Sequence, residues 1–250
     1  LTTIRIPEPV SVFTATPLSG CIPLSVSFTD LSLTAIPGFS QIISWQWDFG
    51  DGVTSNVKNP PPHIYTDTGF FTVTLIVMEN NGCIDTLIRN NYINGNGGFA
   101  DFNSNIQSGC PPLIVNFFDL SVATSQVSSW EWTFGDSSPV DTAQNPVHIY
   151  ANPGIYTVKL SVEDTLGCTS TITKAFYIMV TLPVAQFNIP GNICLNQMVN
   201  IINTSSGYGI SYLWDFGNGT NSSLQNPPHY YTDTGYYAIT LTVTDLNGCM

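Results

Sequence analysis

The chain has 250 residues, with 17 acidic side chains against 5 basic ones and a formal charge of −12. That balance excludes nucleic acid and anionic membrane surfaces as partners, because both are held by clustered Lys and Arg. Charged residues make up only 9%, so Ser, Thr and Asn wet most of the surface, and no apolar run approaches the roughly 20 residues that span a bilayer.

In chain order, Leu1-Thr2-Thr3-Ile4-Arg5-Ile6 reads as the last strand of a preceding repeat or as a linker. Next come Ser19-Gly20-Cys21 and an alternating strand through Val26 and Phe28, followed by Trp45-Gln46-Trp47-Asp48-Phe49-Gly50-Asp51-Gly52. Asn59-Pro60, His63-x-Tyr65, Phe71-x-Val73-x-Leu75-x-Val77 and Gly82-Cys83 complete the set. The same series returns with Trp130-Glu131-Trp132-Thr133-Phe134-Gly135-Asp136 and with Tyr212-Leu213-Trp214-Asp215-Phe216-Gly217-Asn218-Gly219. A period of about 80–85 residues is the size of one small domain. The expected organisation is residues 1–6 as a strand or linker, then repeats at 7–94, 95–180 and 181–250, the last cut before its final strand.

Within each repeat the apolar signal has period two, the mark of a strand with one buried face. Trp45, Trp47 and Phe49 fall on one side of such a strand, as do Trp130, Trp132 and Phe134, and Tyr212, Trp214 and Phe216; all nine are expected in the core. Gly, Asn, Asp and Pro turns separate the runs, and helical periodicity is absent. About seven short strands with a Trp in the third predict an all-β chain of three tandem immunoglobulin-like sandwiches in an elongated array.

Trp-Asp-Phe-Gly-Asp-Gly, Asn-Pro-x-His-x-Tyr and Gly-x-Tyr-x-Val-x-Leu-x-Val, in that order, make each repeat resemble a polycystic-kidney-disease (PKD) domain. The added cysteines look like those of PKD arrays in large Bacteroidota surface proteins, including gliding-motility adhesins exported by the type IX pathway. The resemblance implies extracellular or cell-surface stalk and adhesion modules that are not catalysts. Partners would be neighbouring repeats of the same polypeptide and, beyond them, surface polysaccharide or other surface proteins, with rods assembling into filaments as an open question. The alternative is an accessory polysaccharide- or protein-binding region of a secreted hydrolase.

His63, His148 and His229, with Tyr65, Tyr150 and Tyr231, occupy equivalent positions one to a repeat, which suits a turn or corner role better than a metal site. The acidic turns at Asp48 and Asp51 are candidates for Ca²⁺, which takes six to eight oxygens; but Thr133 replaces Asp48 and Asn218 replaces Asp51 in the other copies, which favours turn bonding instead. No other cofactor is expected. Phe71 stands where Tyr156 and Tyr237 stand, so a tyrosine-corner hydroxyl is not required in the first repeat. Thr86, Thr142 and Thr165, in Asp-Thr-apolar contexts, resemble Bacteroidota O-glycosylation sites.

Six cysteines, two to a repeat, read as a disulfide framework. In a sandwich of this class the early and late Cys lie at opposite ends, separated by a strand of roughly 20–25 Å, whereas bridged Cα atoms lie within about 7 Å. Stacking repeats end to end brings the early Cys of one to the late Cys of the next. The pairing this favours is Cys21–Cys168 and Cys110–Cys249, with Cys83 and Cys194 reaching adjacent repeats; same-repeat bridges or free thiols are the alternatives. Asn94-Gly95-Asn96-Gly97-Gly98 and Val180-Thr181-Leu182-Pro183 are the expected linkers, and a semi-rigid rod the expected result.

Overall fold

The computed structural model describes residues 8–250, all of them in strands, turns and loops. The strand expected at residues 1–6 lies outside the described residues. The chain divides into two compact units. One holds the residues up to Asp101 with Ser121–Trp130 and Ser161–Ile172; the other holds Phe102–Leu120, Glu131–Leu160 and Thr173–Met250.

The first repeat supplies β1 (Phe13–Thr16), β2 (Ser19–Cys21), β3 (Leu24–Asp30), β4 (Ile42–Asp48), β5 (Thr54–Ser55), β6 (His63–Tyr65), β7 (Gly69–Glu79) and β8 (Ile84–Asn96). They form two sheets, ordered β1-β3-β6 and β2-β8-β7-β4-β5. β3 alternates buried and exposed residues along its whole length, and β7 buries Phe71, Val73, Leu75 and Val77. The inward faces of the two sheets meet in one core with Phe13, Val26, Phe28, Trp47 and Ile93, which is the aligned packing of a β-sandwich. Each buried apolar side chain there contributes about 1.5–3 kcal/mol relative to exposure.

The second repeat begins with β9 (Gly98–Phe99), β10 (Phe102–Ser104), β11 (Ser108–Gly109), β12 (Leu113–Asp119) and β13 (Val122–Ala123). It continues with β14 (Val127–Thr133), β15 (Val147–Tyr150), β16 (Gly154–Asp164) and β17 (Thr169–Val180). Its sheets repeat the plan, as β10-β12-β15 and β11-β17-β16-β14. The third is sparser: β18 (Phe187–Asn188), β19 (Met198–Val199), β20 (Ile202–Asn203), β21 (Ser211–Asp215), β22 (Asn221–Ser222), β23 (His229–Tyr230) and β24 (Thr240–Thr244). Its core gathers Val199, Ile201, Trp214, Phe216 and Tyr231.

The first expected linker is largely strand, and the second begins as one. Asn94, Gly95 and Asn96 end β8 and pair in parallel with Ser19, Gly20 and Cys21, and Val180 ends β17 beside Gly109. Gly98 pairs through β9 with Ala123; a Cβ there would stand 2.4 Å from the Val122 carbonyl oxygen. These glycines therefore serve close backbone approach, which a flexible-linker reading of their composition misses.

Candidate functional site

Trp47, Trp132 and Trp214 are each fully buried. Phe13 and Phe28 surround Trp47 at centroid distances of 5.2 and 5.7 Å, and Phe102 and Phe117 surround Trp132 at 5.2 and 5.6 Å. A buried indole needs an acceptor for its N–H. Each donates to a backbone carbonyl: Trp47 to Val57 at 3.0 Å, Trp132 to Ala143 at 2.9 Å and Trp214 to Leu224 at 2.9 Å. The aromatic two places earlier lies at the margin of the core, with Trp45 and Tyr212 packed against it. Trp45, Trp130 and Tyr212 are half-buried, and Trp45 stands at the rim with its indole N–H on Asp30 Oδ2 at 2.9 Å. The register of β4 against β7 slips between Ile42 and Ser44, just before Trp45.

The glycine after each Phe is dictated by backbone geometry. Gly50, Gly135 and Gly217 have φ of 85°, 82° and 74°, and a Cβ on them would stand 2.4–2.6 Å from the carbonyl oxygen of Thr72, Thr157 or Ala238. Positive φ and that approach together leave only glycine.

Next to this turn the histidines and tyrosines form a stack built three times. His63 lies flat on Phe49 at 4.3 Å and meets Tyr65 edge-on at 4.7 Å. His148 lies on Phe134 at 4.0 Å, and His229 on Phe216 at 3.8 Å. Tyr65, Tyr150 and Tyr231 donate their hydroxyls to the carbonyls of Phe49, Phe134 and Phe216 at 3.0, 3.1 and 2.8 Å. Burial first, then nearby Asp51 and Asp48, raise the Tyr65 phenol well above its ordinary value. Burial and Asp136 do the same to Tyr150, so both stay neutral donors.

Spacing alone did not join the imidazole to the acidic turn. His63 Nε2 is 2.6 Å from Asp51 Oδ2 while Asp51 Oδ1 accepts the Val53 N–H at 3.1 Å, and His148 is 2.7 Å from Asp136. In the third repeat Asn218 takes that place, 3.4 Å from His229. Asp48 and Asp215 accept the N–H of Gly50 and Gly217 at 2.9 Å. Among the described residues no group of three or more His, Cys, Asp or Glu is placed to hold a metal ion. Tyr156 and Tyr237 donate to the carbonyls four residues earlier, Asn152 and Asp233, a corner bond that Phe71 lacks.

The cysteines form two bridges. Cys21 bonds Cys168 with Cα atoms 5.3 Å apart, and Cys110 bonds Cys249 at 5.4 Å, over sequence separations of 147 and 139. Cys83 is half-buried and unbridged, and Cys194 is exposed and unbridged. A buried carboxylate shapes each bonded turn. Asp164 Oδ1 accepts the N–H of Leu166 and of Cys168, both at 2.9 Å; Asp245 Oδ1 accepts those of Asn247 and Cys249 at 2.8 and 2.9 Å. In the first repeat Glu79 sits in this position, but it reaches the Ala35 N–H instead, and Asn81 accepts the Cys83 N–H at 2.9 Å. Polar bonds flank the second bridge: Ser108 Oγ meets Asn247 Oδ1 at 3.0 Å, and Asn247 Nδ2 donates to Thr181 Oγ1 at 2.7 Å. Thr86, Thr142 and Thr165 are exposed.

These carboxylates predict acid sensitivity. At Asp164, burial opposes ionisation, but the N–H groups of Cys168 and Leu166, with the Ser125 hydroxyl nearby, outweigh it and lower the pKa. Burial is likewise outweighed at Asp245, by Thr181 and the Cys249 and Asn247 N–H groups, and at Asp136 by Ser138 and His148. A carboxyl depressed on folding stabilises fully above its unfolded pKa, near 3.9, and the contribution is lost as pH falls through the folded value. Melting temperature, followed by circular dichroism, should be level from pH 7 to about 5 and fall steeply below about 4. A level profile down to pH 2 would remove these side chains from the stability of the turns.

The model of the family described as "PKD domain" matches residues 23–93, 102–180 and 181–250. The chain belongs to the PKD domain family. It is 44% identical over 66 residues to the pre-pro-metalloprotease PrtV of Vibrio cholerae, covering 26% of this chain and 7% of that protein. It is 36% identical over 72 residues to collagenase ColA of Bacillus cereus, covering 27% of this chain and 8% of that one. The crystal structure of the PKD1 domain of Vibrio cholerae PrtV aligns at 31% identity over 35% of this chain and 98% of that domain, with a TM-score of 0.30. The chain thus spans less than a tenth of the length of these curated relatives. PKD repeats are non-catalytic modules, and this chain is a tandem of them. No helix among the described residues is long and apolar enough to cross a membrane.

Proposed function

We propose that the chain is a covalently cross-linked spacer in a secreted or cell-surface protein, holding other parts at a distance and under load, as in large Bacteroidota surface adhesins. The observation that carries this reading is the pair of disulfides, each joining a cysteine of one PKD repeat to a cysteine of the next. A bridge within a domain stabilises that domain, whereas a bridge between consecutive domains also limits how far they separate under tension. The indole rings of Trp47, Trp132 and Trp214 are closed off inside the three cores, which argues for spacing over recognition by these rings.

A second reading is favoured by the relatives: PKD modules accompany catalytic domains in the metalloprotease and collagenase, and here too they would hold a substrate near an enzyme. Sedimentation of the purified chain with insoluble collagen and with insoluble polysaccharides separates the two. The spacer reading expects no saturable retention at micromolar concentrations; retention with a dissociation constant of about 10 μM or tighter would replace it with the accessory-module reading.

A further inference from the structure

The first half of β8 is an open sheet edge. β2 covers only Asn94, Gly95 and Asn96 of that strand, and among the described residues 84–89 pair on one side alone, with β7. The ladder shows which groups face outward. Asn94 donates its N–H to the Leu18 carbonyl at 2.9 Å, and the Asn96 carbonyl accepts the Ile22 N–H at 2.8 Å, so even-numbered residues face away from β7. At the other end Glu79 donates its N–H to the Cys83 carbonyl at 2.9 Å, which sets the same parity. Hydrogen-bonded pairs alternate along an antiparallel ladder, so Asp85, Leu87 and Arg89 bond β7, while Ile84, Thr86 and Ile88 turn their N–H and C=O groups to solvent.

The side chains along this edge are self-complementary. Asp85, Leu87 and Arg89 are half-buried on the core side, and Ile84, Thr86 and Ile88 are exposed on the other. Asp85 takes both Ser11 bonds on Oδ2, at 2.7 and 2.6 Å. Arg89 lies over the Phe13 and Tyr92 rings at 4.9 and 4.6 Å and is in no ion pair among the described residues. When a second copy of the edge is turned about a twofold axis at Leu87, Asp85 stands opposite the partner's Arg89, and Arg89 opposite the partner's Asp85. In this register the even-numbered residues form the hydrogen-bonded pairs. The charged pairs fall at the alternate positions, where opposite side chains come closest. Moving the axis to Thr86 or Ile88 keeps the hydrogen bonds and loses both charge pairs. β17 offers no such match, because Ser170 and Lys174 stand where Asp85 and Arg89 do.

We propose that β8 docks on β8 of a second copy of this chain, antiparallel about a twofold axis at Leu87, and joins two β2-β8-β7-β4-β5 sheets into one. Charge decides the occupant. An edge with charges on its core side is closed to a foreign strand, which would leave them unpaired, whereas a second copy supplies the complement of each. The formal charge of −12 opposes the approach of two chains, but residues 84–90 carry one Asp and one Arg and sum to zero. Thr86 then faces the partner's Ile88, and Leu87 meets the partner's Leu87 at the axis, so apolar surface closes over the paired charges. This inference holds whether the array serves as a spacer or as an accessory module.

The test uses the full chain with Cys83→Ser and Cys194→Ser, which excludes thiol cross-links. Sedimentation velocity should show a reversible dimer at about 100 μM. Arg89→Glu and Asp85→Lys each set like charges opposite one another twice, and each should weaken association about tenfold or more. Mixed in equal amounts, the two variants recover both opposite-charge pairs, and association should return to within about threefold of the parent. Amide exchange of the parent needs no edge variant: Thr86 and Ile88 should slow about tenfold between about 1 and 100 μM, while Thr171 and Thr173 of β17 stay unchanged. A monomer at about 100 μM, a dimer indifferent to both charge variants, a mixture no better than its components, or a dimer in which Thr86 and Ile88 exchange as freely as in the monomer would overturn the proposal.

Discussion

With Cys83 and Cys194 both replaced by Ser and the other four cysteines oxidised, a chain pulled by its two ends should stop extending at about 280 Å, against roughly 870 Å once reduced. The shortest covalent route runs from the N-terminus to Cys21, across to Cys168, back along the chain to Cys110, and across to Cys249. Only about 80 residues of backbone lie on that route, each adding about 3.5 Å when fully extended. Bridges confined to single repeats would leave only Cys110–Cys168 in this variant, and extension would continue to about 670 Å. Single-molecule force spectroscopy with and without reductant reads the difference directly. A plateau near the longer value in the oxidised sample would remove the cross-repeat bridges and the mechanical reading built on them.

The second large effect is an asymmetry between neighbouring tryptophans. Trp47→Ala should destabilise the first repeat by about 3–5 kcal/mol, since it removes a fully buried indole and leaves a cavity among Phe13, Phe28 and Phe49. Trp45→Ala removes one indole bond to Asp30 and packing that is half exposed, so about 1–2 kcal/mol is expected. For a unit of this size each kcal/mol lowers the melting temperature by about 4–8 °C. Scanning calorimetry should therefore show one transition shifted by about 15 °C or more for Trp47→Ala and by about 5–15 °C for Trp45→Ala. Equal shifts would mean that both rings belong to the interior after all.

Period-two patterning carried most of the sheet structure, because a strand with one wet face writes its geometry into alternate residues. Phe71, Val73, Leu75 and Val77 declare their buried face by alternation alone. The parts that stayed illegible have two causes. Ser19–Cys21 is too short and too polar to show alternation, and its partner lies more than seventy residues away in a Gly-Asn run. Local composition there suggests flexibility, whereas long-range pairing imposes order. The second cause is that chemistry within a turn depends on which way a side chain faces. Asp164 and Asp245 point inward and fix the cysteine backbone, which their place beside a Gly-Cys turn does not disclose. The contact of His63 with Asp51 likewise follows from the chain passing from the sheet of β4 to the sheet of β6, which a separation of 12 residues does not disclose.

The two bridges overlap in sequence, since Cys110 lies inside the loop closed by Cys21 and Cys168. A protease that severs one peptide bond anywhere between residues 21 and 249 therefore releases nothing. Whichever bond is lost, a thioether-free sulfur linkage still spans the cut, and both halves remain one molecule until a second incision or a reductant arrives. Outside the cell, where clipping is frequent and resynthesis is remote, such an array tolerates damage that would scatter independently folded beads.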